Sequence, residues 1–467
     1  MSEWPWIVGG ALALLATPGA LRLLRSRSPR RGLDFNLIDE SIHHLDTEAE
    51  PWSVHVEARV AGTIDEARLR AAARSAAMRH PMARAFQRRW RPWHTVYEWG
   101  ISTELATDPV AVATAASDEE VAEARSRFQS KRVPIDAAPP FRVLLVRHPA
   151  GDYVMLNFNH GASDGVGSLR LLRSIARAYG GEDDPTSEAD DRAVRDLAHH
   201  SAPADFVQRW RRLALLRGAL VDAIVAAPSR LAADGGDEAP GFRFVQIALD
   251  AETTARVAKR KLAGGTVNDL LLAVLHRTVQ SWNDEHHAET GRVGTMMPVN
   301  LRPEARWTET VGNVTYFVSI STSAEERRTL AETTAAIVRQ TKEIKEQGTA
   351  AALREILVAS PALLLEVKRR LPGLLPFGGN RFVDTAVLSN VGRVAEPMVF
   401  GEHGAATEVW FSPPCRMPLG LGLGAATHGG RLFFSFRYRR SLWSEHAAGA
   451  FAGAYEAALS ACLDEVR

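Results

Sequence analysis

The chain has 467 residues, 46% of them hydrophobic and 24% charged, with a formal net charge of +1. That is the make-up of an ordinary folded protein, long enough for two domains or one large one, and it excludes a nucleic-acid partner steered by bulk charge. Cys415 and Cys462 are the only cysteines and form no CxxC, so neither a disulfide framework nor a zinc site is indicated.

The first thirty residues stand apart. From Trp4 to Leu21, WPWIVGGALALLATPGAL, no residue is charged, and Arg22, Arg25, Arg27, Arg30 and Arg31 follow directly. About 20 apolar residues cross a bilayer, so this run is near the lower limit, and Pro18–Gly19 interrupts it. Its positive charges come after the apolar run, unlike those of a cleaved secretory signal. Inserted, it would keep the main domain cytoplasmic by the positive-inside rule, with Trp4 and Trp6 at the interface. A helix lying in the interface, or one docked on the protein's own surface, fits equally. Residues 1–31 are therefore a candidate membrane anchor on a cytoplasmic protein.

Leu33 to Thr47 leads into an alternating strand at Val54, Val56, Ala58 and Val60. Thr63 and Glu66 read as a capping box for a helix to about Met78, ended by Pro81. Trp90, Trp93 and Trp99 read as core or interface. Ser117 and Glu120 cap a second helix to about Lys131, and Pro139–Pro140 introduces a strand that turns at Pro149–Asp152 into a hairpin.

The hairpin's second strand, Tyr153 to Phe158, opens YVMLNFNHGASDGVGSLRLL, around which the rest is organised. His160 sits where the strand stops, Asp164 and Gly165 follow, and a helix opens near Val166. A side chain at a strand's end can be aimed into a cleft while the sheet holds it still. Gly161, Gly165 and Gly167 permit close backbone approaches. A histidine set this way beside a carboxylate has the makings of a general base. A lone HxxxD also arises by chance; the strand end, the glycines and the apolar helix raise its weight.

Residues 180–192 are acidic and polar without apolar period, a surface linker, and a helical pattern covers about Pro203 to Ala227. The boundary between two halves falls at 181–205, giving halves at 32–180 and 206–467. Strand Phe242 to Leu249 follows. Thr266-Val-Asn268-Asp269 then starts a nearly all-apolar, buried helix, which Thr266 or Asn268 would cap. TMMPVNLRP (Thr295 to Pro303), Gly312–Asn313, strand Val314 to Thr322 and VLSNVG (Val387 to Gly392) complete the ordered pieces. The LGLGLG run ending at Gly424 is followed by a strand where a dinucleotide loop requires a helix. The paired histidines His43–His44, His199–His200 and His286–His287 lack ligand spacing, so no metal is expected.

The HxxxDG at His160–Gly165 resembles the HHxxxDG motif of the chloramphenicol-acetyltransferase-like superfamily, which includes peptide-synthetase condensation domains. Asn159 stands where the first His is usual, and His160 matches the catalytic one. TVNDLLLAVL, PVNLR and VLSNVG are similar to boxes of the wax ester synthase/diacylglycerol acyltransferase group and related free-standing condensation-type acyltransferases. Arg393 stands where that group has Pro-Gly, and the DFGWG motif of plant-type members is absent. The pieces run in family order over most of Leu33 to Arg467.

The resemblance implies an α/β fold of two halves, each a mixed sheet with helices, with a substrate channel between them and His160 at its middle. It implies an acyltransferase in which His160 takes the acceptor's proton during attack on a thioester. Asp164 would be structural, paired with Arg302. Asn159, Ser389, Asn390 and backbone amides near Gly165 are candidate oxyanion donors, with Asn268 and Asp269 as motif support. No cofactor is called for, since acyl-CoA or an acyl carrier thioester is the substrate. Three readings stay open. The first is O-acyl transfer to an alcohol, plausibly lipid-like; the second is condensation of carrier-protein thioesters to an ester or amide. The third is a binding protein whose site is degenerate at Asn159. The partners these readings imply are a small-molecule or lipid acceptor, an acyl carrier protein and a membrane surface met through residues 4–31.

Overall fold

A computed structural model of the chain describes residues 33–184, 227–302, 308–347, 364–370, 383–394 and 397–464. The N-terminal segment 1–31, the linker beyond residue 184, His199–His200 and the helix expected at about 203–227, except its last residue, lie outside the described residues. Among the described residues no helix is long and apolar enough to cross a membrane.

The first half runs β1 (Leu33–Asp34), α1 (Leu37–Leu45), β2 (Ser53–Val60), α2 (Glu66–Arg79), β3 (Ala85–Gln87), β4 (Glu98–Ile101), β5 (Val110–Thr114), α3 (Asp118–Gln129), β6 (Phe141–Arg147), β7 (Tyr153–Asn159) and α4 (Gly165–Gly180). The second runs β8 (Phe242–Ala248), α5 (Ala251–Lys259), α6 (Val267–Glu285), β9 (Val293–Asn300), β10 (Thr315–Thr322), α7 (Leu330–Gln347), α8 (Leu365–Lys368), β11 (Ala386–Arg393), β12 (Ala406–Ser412), β13 (Leu421–His428), β14 (Arg431–Arg439) and α9 (Glu445–Asp464). This is the mixed α/β architecture of two sheeted halves that the motifs imply.

A five-stranded sheet, β12-β2-β7-β6-β5, is antiparallel except for the β5–β6 pair. A six-stranded sheet, β10-β9-β11-β13-β14-β8, holds β11 parallel to both its neighbours. A small antiparallel sheet, β1-β4-β3, stands beside α1. The motif strand β7 is central in its sheet, and all of its residues are buried. That explains its unbroken apolar reading: a strand covered on both faces has no polar side to alternate with. The α4 residues Leu171, Leu172, Ile175 and Tyr179 and the α2 residues Leu69, Ala73 and Ala76 fill one core against this sheet. The apolar α6, with Phe451 and Tyr455 of α9, fills the other.

Two expectations change. The helix at 66–79 is capped by Asp65, whose side chain accepts from the Arg68 amide, rather than by a Thr63–Glu66 box. The halves are also not cut cleanly at 181–205. Strand β12, deep in the second half, pairs antiparallel with β2 and completes the first half's sheet. An alternating apolar strand carries no label for the sheet it joins, so sequence order assigned it to its neighbours. In return, α3 packs on β8, with the Phe242 amide donating to Ser130 Oγ at 2.9 Å.

Candidate active site

The site is built where β7 ends. Its last residue, Asn159, accepts with its backbone carbonyl from the Ala162 and Ser163 amides at 3.0 and 3.1 Å, closing a tight turn that carries His160. The His160 amide donates to the Trp52 carbonyl, just before the neighbouring strand β2, at 3.0 Å. The His160 carbonyl accepts from Asn313 Nδ2 at 2.9 Å, a residue of the second half. The imidazole is thus fixed at its backbone from both halves.

His160 is part-exposed while its Nδ1 is enclosed, turned from solvent, which leaves Nε2 as the nitrogen able to meet a substrate. Burial pulls its pKa below the ordinary histidine value, and it outweighs the Asp164 charge and the His160 and Ser163 backbone groups, which pull the other way. The ring is therefore neutral near pH 7, the form that accepts a proton.

Asp164 does not hydrogen-bond to His160. Its Oδ1 accepts from Arg302 Nη2 at 2.9 Å and from the Gly167 amide at 2.9 Å. Its Oδ2 accepts from Arg302 Nη1 at 2.8 Å, the Val314 amide at 2.9 Å and Thr315 Oγ1 at 2.7 Å. The carboxylate is at once the N-cap of α4 and one end of a bidentate pair with Arg302, both side chains enclosed. Burial alone would raise its pKa, but the Arg302 guanidinium and the amide donors hold it below the usual carboxylate range. Arg302 also donates to the Gly312 carbonyl at 2.9 Å, which accepts from the Asp164 amide at 3.1 Å. The sequence pairing of Asp164 with Arg302 is what the structure contains.

The glycines are needed for close approach. A Cβ on Gly167 would meet Ser163 Oγ and stand 2.9 Å from the Gly312 backbone, so α4 is pressed against the second half at this point. A Cβ on Gly165 would stand 2.6 Å from the Phe411 ring and 3.0 Å from Val391. That contact brings VLSNVG beside the first turn of α4. Ser163 is fully buried and its Oγ donates to the Asp164 carbonyl, a turn residue rather than a nucleophile.

Other sequence candidates fall elsewhere. Asn159 is not available as an oxyanion donor. Its Nδ2 donates to Asp46 Oδ2 at 3.0 Å and to the Val133 carbonyl at 2.8 Å, and its Oδ1 accepts from the Gly161 amide at 2.9 Å. Asn390 Oδ1 accepts from the Gly392 amide at 2.9 Å and shapes the turn where Gly392 takes φ +77°. Ser389 is buried on β11, two residues before Val391. Asp269 forms a capping box with Thr266 and accepts from Thr341 Oγ1 of α7 at 2.8 Å. Asn268 Nδ2 lies 3.0 Å from Met297 Sδ. The TVND box therefore caps and anchors α6, and neither residue bonds to His160 or Asp164.

Three supports were missed. Asn313 holds the His160 carbonyl, Thr315 holds Asp164, and Asn36, the N-cap of α1, donates to the Asn313 carbonyl at 3.0 Å. The Gly312–Asn313 pair was visible only as a spacing marker. The pair His43–His44 lies on α1, where burial takes the two pKa values down to about 3 and about 4. His44 Nε2 is 3.2 Å from Tyr97 Oη, and His43 Nε2 is 3.1 Å from Gln87 Nε2.

A histidine at a strand end, a carboxylate turned away onto an arginine of the other half, and two sheets meeting at that seam define a class, the acyl-transferring condensation fold. The sequence matches the condensation-domain family over residues 41–352, and the chain belongs to that family, within the chloramphenicol-acetyltransferase-like superfamily. It is 36% identical over 426 residues to an uncharacterized protein of Mycobacterium tuberculosis strain H37Rv, Rv2305, covering 91% of this chain and 98% of that one. Among solved structures it is similar to the first condensation domain of the CDA synthetase, with TM-score 0.69, 13% identity, and 92% and 96% of the two chains covered. It is also similar to the epimerization domain of tyrocidine synthetase B, with TM-score 0.60, 18% identity, and 93% and 98% covered. At those identities the structural likeness speaks to the fold alone.

Proposed function

We propose that the chain is an acyltransferase that moves an acyl group from a thioester to an alcohol, with His160 Nε2 as general base. The observation that carries this reading is the neutral, backbone-clamped imidazole whose motif carboxylate is turned away from it. Nε2 takes the proton from the acceptor hydroxyl as that oxygen attacks the thioester carbon. The tetrahedral intermediate collapses, the C–S bond breaks, and the departing sulfur takes the proton back from the imidazolium. Such a base contributes ~10²–10⁴-fold. With the Asn159 amide committed, the first-turn N–H groups of α4 at Gly165 and Val166, at the positive end of the helix, remain as oxyanion donors, with the Ser389 hydroxyl and Asn390 Nδ2. The acceptor we favour is lipid-like and the donor acyl-CoA.

Membership of the condensation-domain family supports a second reading, in which the donor is a carrier-protein thioester and the product an ester or an amide. The bonding of Asn159 within the turn gives it a structural part to play, which weighs against the binding-only reading.

The test is free-thiol release from acyl-CoAs of graded length with a pool of alcohols, wild type beside His160→Ala. Acceptor-dependent release that is lost in the variant supports the first reading. Release only from carrier-bound donors moves the assignment to the second. No release from either donor class overturns acyl transfer.

A further inference from the structure

The small sheet β1-β4-β3 has two unlike faces. Its inner face packs on α1, with Trp99 Nε1 donating to Asp39 Oδ2 at 2.9 Å and Gln87 meeting His43. Its outer face opens on a depression of about 430 Å³ lined by Phe86, Arg88, Arg89, Trp90, His94 and Glu98, among others. Beyond the depression the loop from β3 to β4 carries Trp93, 62% exposed, with the Arg91 guanidinium 5.2 Å from its ring.

The short helix α8 joins the same surface. The Leu365 amide donates to the His94 carbonyl at 2.8 Å, Lys368 Nζ to the Thr95 carbonyl at 2.7 Å, and Arg369 lies 4.9 Å over Trp90. Leu364 is 46% and Val367 45% exposed, so three of the seven large apolar side chains that stand exposed among the described residues are gathered here.

Charge points the same way. Arg88, Arg89 and Arg91 are exposed, and among the described residues none has a carboxylate within ion-pair distance. Arg369 and Arg370 share the single Glu366, at 3.7 and 3.1 Å. Five guanidinium groups thus face three carboxylates, Glu98, Glu366 and Asp34, which is Glu98's cross-strand partner on β1, a surplus of two positive charges around an exposed tryptophan.

We propose that this patch seats the protein on an anionic phospholipid surface. Exposed arginines without a carboxylate partner suit anionic headgroups, and a tryptophan ring belongs at the level where apolar chains give way to water. Attachment is peripheral and uses residues of the folded body. One sheet layer and α1 then separate the lipid from the His160 turn, since the Asp39 carbonyl of α1 would lie 3.6 Å from a Cβ on Gly161. The inference is independent of the acyl-transfer reading.

The test is cosedimentation of the full-length chain with phosphatidylcholine vesicles, with and without phosphatidylglycerol. The variants are Arg88→Glu/Arg89→Glu/Arg91→Glu, Trp93→Ala and, as a charge control on α3, Arg127→Glu. Thermal unfolding of each shows that the fold is kept. Expected are binding to the anionic vesicles only, a loss on the order of 100-fold in the triple variant, a smaller loss in Trp93→Ala, and no change in Arg127→Glu. Failure of the wild type to bind overturns the proposal. So does undiminished binding by the triple variant, which would assign attachment to another segment. Unchanged vesicle binding with lost thiol release from a carrier-bound donor overturns it in favour of an acidic protein partner.

Discussion

Replacing Asp164 by Asn tests the architecture of the site most directly. The carboxylate meets five donors, two at Oδ1 and three at Oδ2. An Asn amide accepts at one end only, so in its better orientation it turns N–H groups toward the two donors formerly at Oδ1. The Arg302 guanidinium also loses its counter-charge, the only one within bonding distance among the described residues, while its side chain is 0% exposed. Breaking such a buried pair costs ~3–5 kcal/mol, with no discount for solvent screening at this depth. Asp164→Asn and Arg302→Met should each lower unfolding stability by that order in urea titrations. The double variant should lose ~1–3 kcal/mol less than the sum, since each single change strands the other partner.

Thiol release should fall ~10²-fold or more in Asp164→Asn, because a 1 Å displacement of the base is that costly. The pH profile separates positioning from proton transfer. With His160 as the proposed base, activity would require neutral imidazole and rise with pH through the His160 pKa, which burial already holds below the ordinary value against the opposing pull of Asp164. Removing the Asp164 charge removes that pull, and the acid limb should move to lower pH. Wild-type stability and activity in Asp164→Asn, or an acid limb that moves upward, would refute the reasoning.

Asn313→Ala removes the donor to the His160 carbonyl and should lower kcat/KM ~10-fold with a stability loss of ~1–2 kcal/mol, read by thiol release and urea unfolding. Gly167→Ala should be worse than Gly165→Ala in thermal unfolding, because the first collides with the Gly312 backbone and the second with a Phe411 ring that can turn. Asn159→His restores the commoner motif but breaks the bonds to Asp46 and Val133. It should cost ~1–3 kcal/mol and leave thiol release no higher than wild type. Burial lowers the pKa of His276 to about 3, with the Arg327 charge adding to the shift. The unfolded chain then binds the extra proton first, so this contribution is full above about pH 6.5 and is lost as pH falls toward 3; at pH 4.5 one such histidine removes ~2–3 kcal/mol. Melting at pH 4.5 should show a smaller acid loss in His276→Gln than in wild type.

The parts of this site that were legible in the sequence are those whose chemistry is local. A strand end, a histidine and a capping aspartate lie within one turn, and glycines at 165 and 167 mark where something presses close. The arginine at 302 was legible only through a family pattern, since nothing near it in the chain says what its guanidinium meets. Asn313 and Thr315 carried no signal of their own, because an asparagine in a loop and a threonine at a strand start are common for unrelated reasons. Asn159 misled in the other direction. Its place in the motif suggested a substrate contact, whereas both its amide protons are spent inside the protein, a fact that depends on where Asp46 and Val133 arrive. The capping reading of Thr266 was right because a cap is made by residues three apart.

The same distinction bears on how the site can work. His160 is clamped by Trp52 from the first half and by Asn313 from the second, and Asp164 is bonded across the seam to Arg302, Val314 and Thr315. Strand β12 crosses that seam to complete the first half's sheet, and α3 crosses it in the other direction to reach β8. A motion that parted the halves at this level would break the charge-assisted bonds to Asp164 and a six-residue ladder at once, many times the cost of turning side chains. On the proposed acyl-transfer reading, substrates would therefore have to reach His160 by movement of side chains and loops, with the seam at His160 held shut. In that arrangement the rigidity that makes Asp164 expensive to replace is also what holds the His160 imidazole in place from both halves.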